Sequence, residues 1–256
     1  MYYEIHGAGE PLILLHGGLG STGMFADLLP ALSAHRKVIA ADLQGHGRTA
    51  DIDRPLRIDT MADDVAGLMQ HLGIKQADVM GYSMGGAVAL RTAIQHPDMV
   101  KKLIVVSASC KRDGWYPEVL AAMSQMGPGA AEALKPSPIY QMYARTAPKP
   151  ADWPVLLGKM GDLLRQDYDW SKEVAAIRAP TLLVFGDADA VRTAHAVEFF
   201  GLLGGGKKEG GWDGSGMSNA RLAILPGVTH YNSFSSPALA PAVTSFLDAP
   251  AAPTLK

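Results

Sequence analysis

The sequence predicts an α/β fold, with a mostly parallel sheet flanked by helices. Two observations carry this expectation. Short apolar runs that do not alternate recur along the 256 residues, each stopped by glycine, aspartate or serine. Strands covered on both faces read this way. Between them lie segments with helical spacing, so strand and helix alternate along the chain. A third observation concerns function: "GYSMGG" at 81–86 sits where a strand gives way to a helix.

The runs are, in order, "LILLHGG" (12–18), "VIAADLQGHG" (38–47), "ADVMGYS" (77–83), "LIVVSAS" (103–109), "TLLVFGDAD" (181–189) and "RLAILPG" (221–227). Residues 60–73 place Met61, Val65, Leu68, Met69 and Leu72 on one helical face, with Gly73 as a C-terminal stop. Residues 85–97 read as a helix ended by Pro97, and 193–204 and 238–249 as two further helices. Residues 110–172 break the rhythm. They hold no strand-like run but carry three of the four tryptophans, four tyrosines and four methionines. This region reads as a helical insertion over the carboxyl edge of the sheet. Its rings and thioethers suit either ordinary packing or the lining of an apolar cavity. Glycine supplies eight of the sixteen residues at 201–216, which reads as a surface loop; it lacks the spacing of a phosphate-binding loop.

Composition narrows the function classes. Hydrophobic residues make up 48% and charged residues 19%, with a net charge of −2. Nothing there favours nucleic acid or an anionic membrane as partner. The single cysteine, Cys110, cannot form an internal disulfide. The opening "MYYEIHGAGE" has neither a basic start nor an apolar run, and no apolar stretch approaches the ~20 residues that span a bilayer. A cytoplasmic protein is the expectation. No cluster suggests a metal.

Gly81-Tyr82-Ser83-Met84-Gly85 is G-x-S-x-G at a strand-to-helix turn. Such a turn holds the serine in a strained conformation that lifts its hydroxyl clear of the sheet, and the glycines remove Cβ atoms that would collide. A hydroxyl at neutral pH is a poor nucleophile, so a base must take its proton. Of eight histidines, His230 is the best placed, leaving the last predicted strand in "LPGVTHYN". His16 and His46 lie in glycine turns, where loop-bracing is the expected role. An orienting carboxylate from another strand end would be Asp187 or Asp189. An oxyanion hole needs two N–H donors: Met84, next to the serine, and Gly18, in the loop after the first apolar run.

These motifs together resemble the α/β-hydrolase superfamily. The HGG loop at 16–18, "DLQGHGRT" at 42–49, GYSMGG, GDAD and "GVTHY" occur in the family's order over nearly the whole chain. The resemblance implies a core domain of 1–109 and 173–256 with a helical cap at 110–172. It favours Asp189, counted from Gly186, as the triad acid. Tyr2–Ile5 resembles the family's second strand, so the usual first strand is missing. Within the family the chain looks like the cap-bearing carboxylesterases, lactonases, cofactor-free haloperoxidases and carbon–carbon bond hydrolases. The expectation is a serine hydrolase without cofactor, cleaving a small ester or lactone with an apolar part through Ser83, Asp189 and His230. A carbon–carbon bond hydrolase, a perhydrolase, or a ligand-binding protein without turnover are the alternatives. Tyr82, Trp115, Tyr116, Met142 and Trp153 are the residues expected to line the pocket.

Overall fold

A computed structural model describes residues 1–249. Strands β1 (Tyr3–His6), β2 (Glu10–Leu15), β3 (Arg36–Ala41), β4 (Ala77–Tyr82), β5 (Val100–Val106), β6 (Thr181–Ala188) and β7 (Ala220–Thr229) form one sheet in the order β1-β3-β2-β4-β5-β6-β7. Only β1 is antiparallel to its neighbour, pairing Tyr3 with Ala41 and His6 with Val38. It is one edge of the sheet, with no strand outside it among the described residues, and β7 is the other.

The unalternating runs have a simple cause. Successive side chains point to opposite faces, and here both faces are buried. Ile13, Leu15, Ile39, Val79, Leu103 and Leu183 enter one core. Their neighbours Leu12, Leu14, Val38, Met80, Ile104 and Leu182 enter the other. Helix α1 (Leu29–Ser33) helps cover the second face, and helices α2 (Ile58–His71) and α3 (Met84–Gln95) the first. The apolar stripe of α2 is the expected one, with Met61, Val65, Leu68 and Met69 buried. Gly73 has φ +68°, the left-handed conformation of a helix stop.

Between β5 and β6 the chain builds α4 (Pro117–Ser124), α5 (Ala131–Leu134), α6 (Pro138–Thr146), α7 (Trp153–Arg165) and α8 (Ser171–Val174). After β6 come α9 (Thr193–Leu202) and, beyond β7, α10 (Leu239–Asp248). Residues 203–219, most of the glycine-rich stretch, form neither helix nor strand. Among the described residues no helix is long and apolar enough to cross a membrane.

Candidate active site

The carboxyl ends of β4, β5, β6 and β7 converge on one serine. Ser83 follows β4 directly and has φ +53° and ψ −117°, a conformation that L-residues rarely adopt. Two hydrogen bonds hold it there: its N–H donates to Val106 O at 2.8 Å, and its carbonyl accepts from Ala87 N at 3.0 Å. The glycines are required by contact. A Cβ on Gly81 would collide with the backbone of Gly85, and one on Gly85 with the carbonyls of Leu15 and His16. On Gly86 a Cβ would sit 2.8 Å from the Cβ of Ala108, so this glycine lets α3 pack close to the segment after β5.

Ser83 Oγ lies 3.0 Å from His230 Nε2, and His230 Nδ1 lies 2.9 Å from Asp189 Oδ1. An ionised carboxylate only accepts, so Nδ1 carries the proton and Nε2 is free to accept from the serine hydroxyl. Burial pushes the Asp189 carboxyl up. The hydrogen bond and charge of His230, the Ser107 hydroxyl and the Val191 N–H outweigh it and hold the group below its ordinary value. Asp187 is in a different situation: its Oδ1 accepts from the N–H groups of Gly227 (2.8 Å) and Val228 (3.2 Å) in the turn. Met84 opens α3, where an N–H has no intrahelical acceptor. Gly18 faces it across the site; a Cβ there would lie 3.9 Å from that of Met84.

His16 and His46 brace the surrounding loops. His16 Nδ1 donates to Gly17 O at 2.7 Å while Nε2 accepts from Leu43 N at 3.0 Å. His46 Nδ1 donates to Gln44 O at 2.8 Å. Burial lowers their pKa values to about 4 for His16 and about 3 for His46, with the His16 ring adding to the effect on His46. Both rings are therefore neutral in the fold, whereas an unfolded imidazole titrates near about 6.5. The unfolded chain binds more protons below that value, so these rings withdraw stability as pH falls from about 6.5 toward their folded values. The melting temperature is expected to drop over pH 6.5–4.5, and less steeply in His46→Gln; equal slopes would contradict this.

A cavity of about 850 Å³ opens on the serine. Tyr82, Trp115 and Met142 line it, as do Met123, Met126 and Met160. The Tyr82 hydroxyl donates to His230 O at 2.8 Å, and the Trp115 ring meets the imidazole edge-on at 5.4 Å. Two expected pocket residues are elsewhere. Tyr116 precedes α4 at the surface and does not line the cavity. Trp153 is 2% exposed and packs against Tyr140 and Tyr143, with its Nε1 donating to Ala131 O at 3.2 Å. It is the core of the helical excursion, where a ring without a free face has no access to the cavity. Trp153→Ala is thus expected to cost roughly 3–5 kcal/mol of stability. Trp115→Ala should instead change the ratio of kcat/KM between short and long acyl chains. Melting curves and two chain lengths check both.

Sequence reasoning passed over Ser107, the residue after β5. It is buried, with φ +53°. Its hydroxyl donates to Asp189 Oδ2 at 2.6 Å and lies 3.0 Å from Ser233 Oγ. A hydrogen bond to a charged group contributes about 1.5–3 kcal/mol. Ser107→Ala is expected to lower kcat on the order of tenfold with little change in KM, because Ser107 does not line the cavity. An unchanged kcat would remove it from the site. The one available signal was its position at the end of "LIVVSAS", which says nothing of its partner.

Among the described residues no group of three His, Cys, Asp or Glu could hold a metal ion. Over 208 residues the chain is 29% identical to a protein of Azorhizobium caulinodans provisionally named carbamate hydrolase RutD, a match covering 75% of this chain and 78% of that one. The enol-lactonase from Burkholderia xenovorans LB400 superposes with a TM-score of 0.72 at 22% identity, over 97% of this chain and 96% of its own. The meta-cleavage product hydrolase of Pseudomonas fluorescens IP01 gives a TM-score of 0.73 at 20% identity, over 96% and 93%. At such identities the two structures speak to the fold. Residues 10–147 match the family described as the alpha/beta hydrolase fold, and as this is more than half of the chain, the protein belongs to the alpha/beta hydrolase family.

Proposed function

We propose that this alpha/beta hydrolase is a serine hydrolase that cleaves a carboxylic ester or lactone through an acyl-enzyme. The observation that carries the reading is the unbroken path from Ser83 Oγ through the His230 imidazole to Asp189, at 3.0 and 2.9 Å. Ser83 Oγ attacks the carbonyl carbon while His230 Nε2 takes the hydroxyl proton. The N–H groups of Met84 and Gly18 stabilise the oxyanion. Collapse of the tetrahedral intermediate breaks the carbonyl–oxygen bond, and His230 returns its proton to the leaving alcohol. Water, deprotonated in turn by His230, then attacks the acyl-enzyme and releases the acid and Ser83. Asp189 keeps the imidazole in the required tautomer and supports the imidazolium. The excursion at 110–172 acts as a cap, and its methionines shape an apolar binding space for the substrate's apolar part.

The similarity to a provisionally named carbamate hydrolase favours a carbamate as the second reading. The triad chemistry is the same, with carbamic acid as the released acid. A panel of p-nitrophenyl esters, lactones, a p-nitrophenyl carbamate and a dienone acid separates the readings. The expected result is the highest kcat/KM on an ester or lactone, by at least about tenfold. Preference for the carbamate selects the second reading, and preference for the dienone acid overturns both.

A further inference from the structure

The cavity's far wall holds positive charge that the triad does not use. Ser83, just before α3, and Ala87 and Arg91 on it follow one another at four-residue steps, and all three line the cavity. Arg91 is therefore about 12 Å along the helix from the serine, at 1.5 Å per residue. Its Nε donates to Gln95 Oε1 at 2.7 Å, and its guanidinium carbon lies 5.7 Å from the Trp170 ring centroid. Nη1 is buried and has no hydrogen-bond partner among the described residues. Glu173 forms an ion pair with Nη1 at 3.6 Å, beyond hydrogen-bond distance, and its side chain is 44% exposed.

A second arginine lines the same cavity. The Arg112 backbone N–H donates to Tyr168 O at 2.9 Å, and the Tyr168 and Trp170 rings lie tilted at 36° with centroids 4.7 Å apart. The guanidinium of Arg91 faces one ring of this pair, and the backbone of Arg112 is tied to the residue that carries the other. Arg112 uses Nη1 on the carbonyls of Leu164 and Gln166. The carboxylates that also line the cavity, Asp59, Glu118 and Asp167, are exposed and make no ion pair with either arginine among the described residues. The half-buried charges, Arg91 and Arg112, are positive, and the exposed ones are the three carboxylates and Arg57. Rings connect this end to the triad, since Trp115 meets His230 and donates its Nε1 to the Tyr168 hydroxyl at 2.9 Å.

We propose that Arg91, assisted by Arg112, is a carboxylate subsite, and that the substrate is an ester or lactone whose apolar chain ends in a carboxylate. A guanidinium with free Nη donors presents the fork that a carboxylate fits. The apolar walls between serine and arginine take the chain. This rests on the ester-hydrolase reading above and adds the substrate's distal group.

The test compares p-nitrophenyl monoesters of succinic, suberic and sebacic acids with neutral alkanoates of matched length. The wild-type protein is expected to prefer the monosuberate or monosebacate over its neutral counterpart, and succinate, too short to reach, should show no such preference. In Arg91→Gln that ratio of kcat/KM should fall on the order of 10–100-fold, the weight of a lost charge-assisted hydrogen bond. Arg91→Lys should keep part of it. A wild-type ratio at or below one, or the same ratio in Arg91→Gln, overturns the subsite. Calorimetric titration of suberate into Ser83→Ala protein, with and without Arg91→Gln, reads the subsite without turnover. If no ester is hydrolysed yet suberate binds only with Arg91 present, the ester reading fails and the subsite stands. Equal binding with and without Arg91 overturns the subsite.

Discussion

Ser83→Ala is expected to keep the fold and lose on the order of 10⁴–10⁶ in kcat. The fold should survive because what holds residue 83 is backbone: its N–H on Val106 O and its carbonyl under Ala87 N. The Ser83 side chain makes no cap to α3. What disappears is the hydroxyl that lies 3.0 Å from His230 Nε2 and would form the acyl bond. The cavity and the N–H groups of Met84 and Gly18, the proposed oxyanion donors, remain and would account for any residual rate. Circular dichroism, melting temperature and kcat on the best substrate decide the matter. Retention of more than a tenth of the activity by a well-folded variant would remove Ser83 from the chemistry.

Asp189→Asn is expected to lose on the order of 10⁴ in kcat, while Asp187→Asn loses little. The two aspartates lie two residues apart past the same strand, but their surroundings differ. Asp189 is buried and receives His230 Nδ1 and the Ser107 hydroxyl. An asparagine there can present its amide N–H to Nδ1, which selects the wrong tautomer, and it supplies no charge to support an imidazolium. Asp187 is exposed and accepts two backbone N–H groups, which an asparagine carbonyl can also do. Its replacement should cost about 1 kcal/mol of stability or less. Measured kcat and melting temperature for both variants check the pair, and the reverse pattern would transfer the orienting role to Asp187.

Much of this arrangement was legible because the informative residues sit where the chain changes direction. Ser83, Asp189 and His230 each follow the carboxyl end of a strand whose apolar run marks it, and parallel strands bring those ends to one edge. The buried runs of β2 through β6 followed from the same patterning, whereas β1 came only from the family resemblance, and its antiparallel pairing was not legible. Ser107 was not legible, because its partner Asp189 is 82 residues away and a serine at a strand end has many possible roles. The aromatic residues of 110–172 divided for a similar reason. Trp115 and Trp153 have the same composition signal, but the first meets His230 and the second fills the packing among Tyr140, Tyr143 and Ala131. Helices as short as α5 and α8, of four residues each, carry too little periodicity to place such rings. Arg91 reads as an ordinary polar position on α3; only the cavity beside Trp170 gives it a task.

An activated Ser83 nucleophile reacts with an electrophile that mimics an ester carbonyl. The most direct measurement is labelling with a fluorophosphonate at pH 7.5, followed by intact mass and peptide mapping. One phosphonyl adduct per chain is expected, on the peptide that holds Ser83, and absent in Ser83→Ala and His230→Ala. No adduct on the wild-type protein, or an adduct of equal yield in Ser83→Ala, would contradict an activated Ser83.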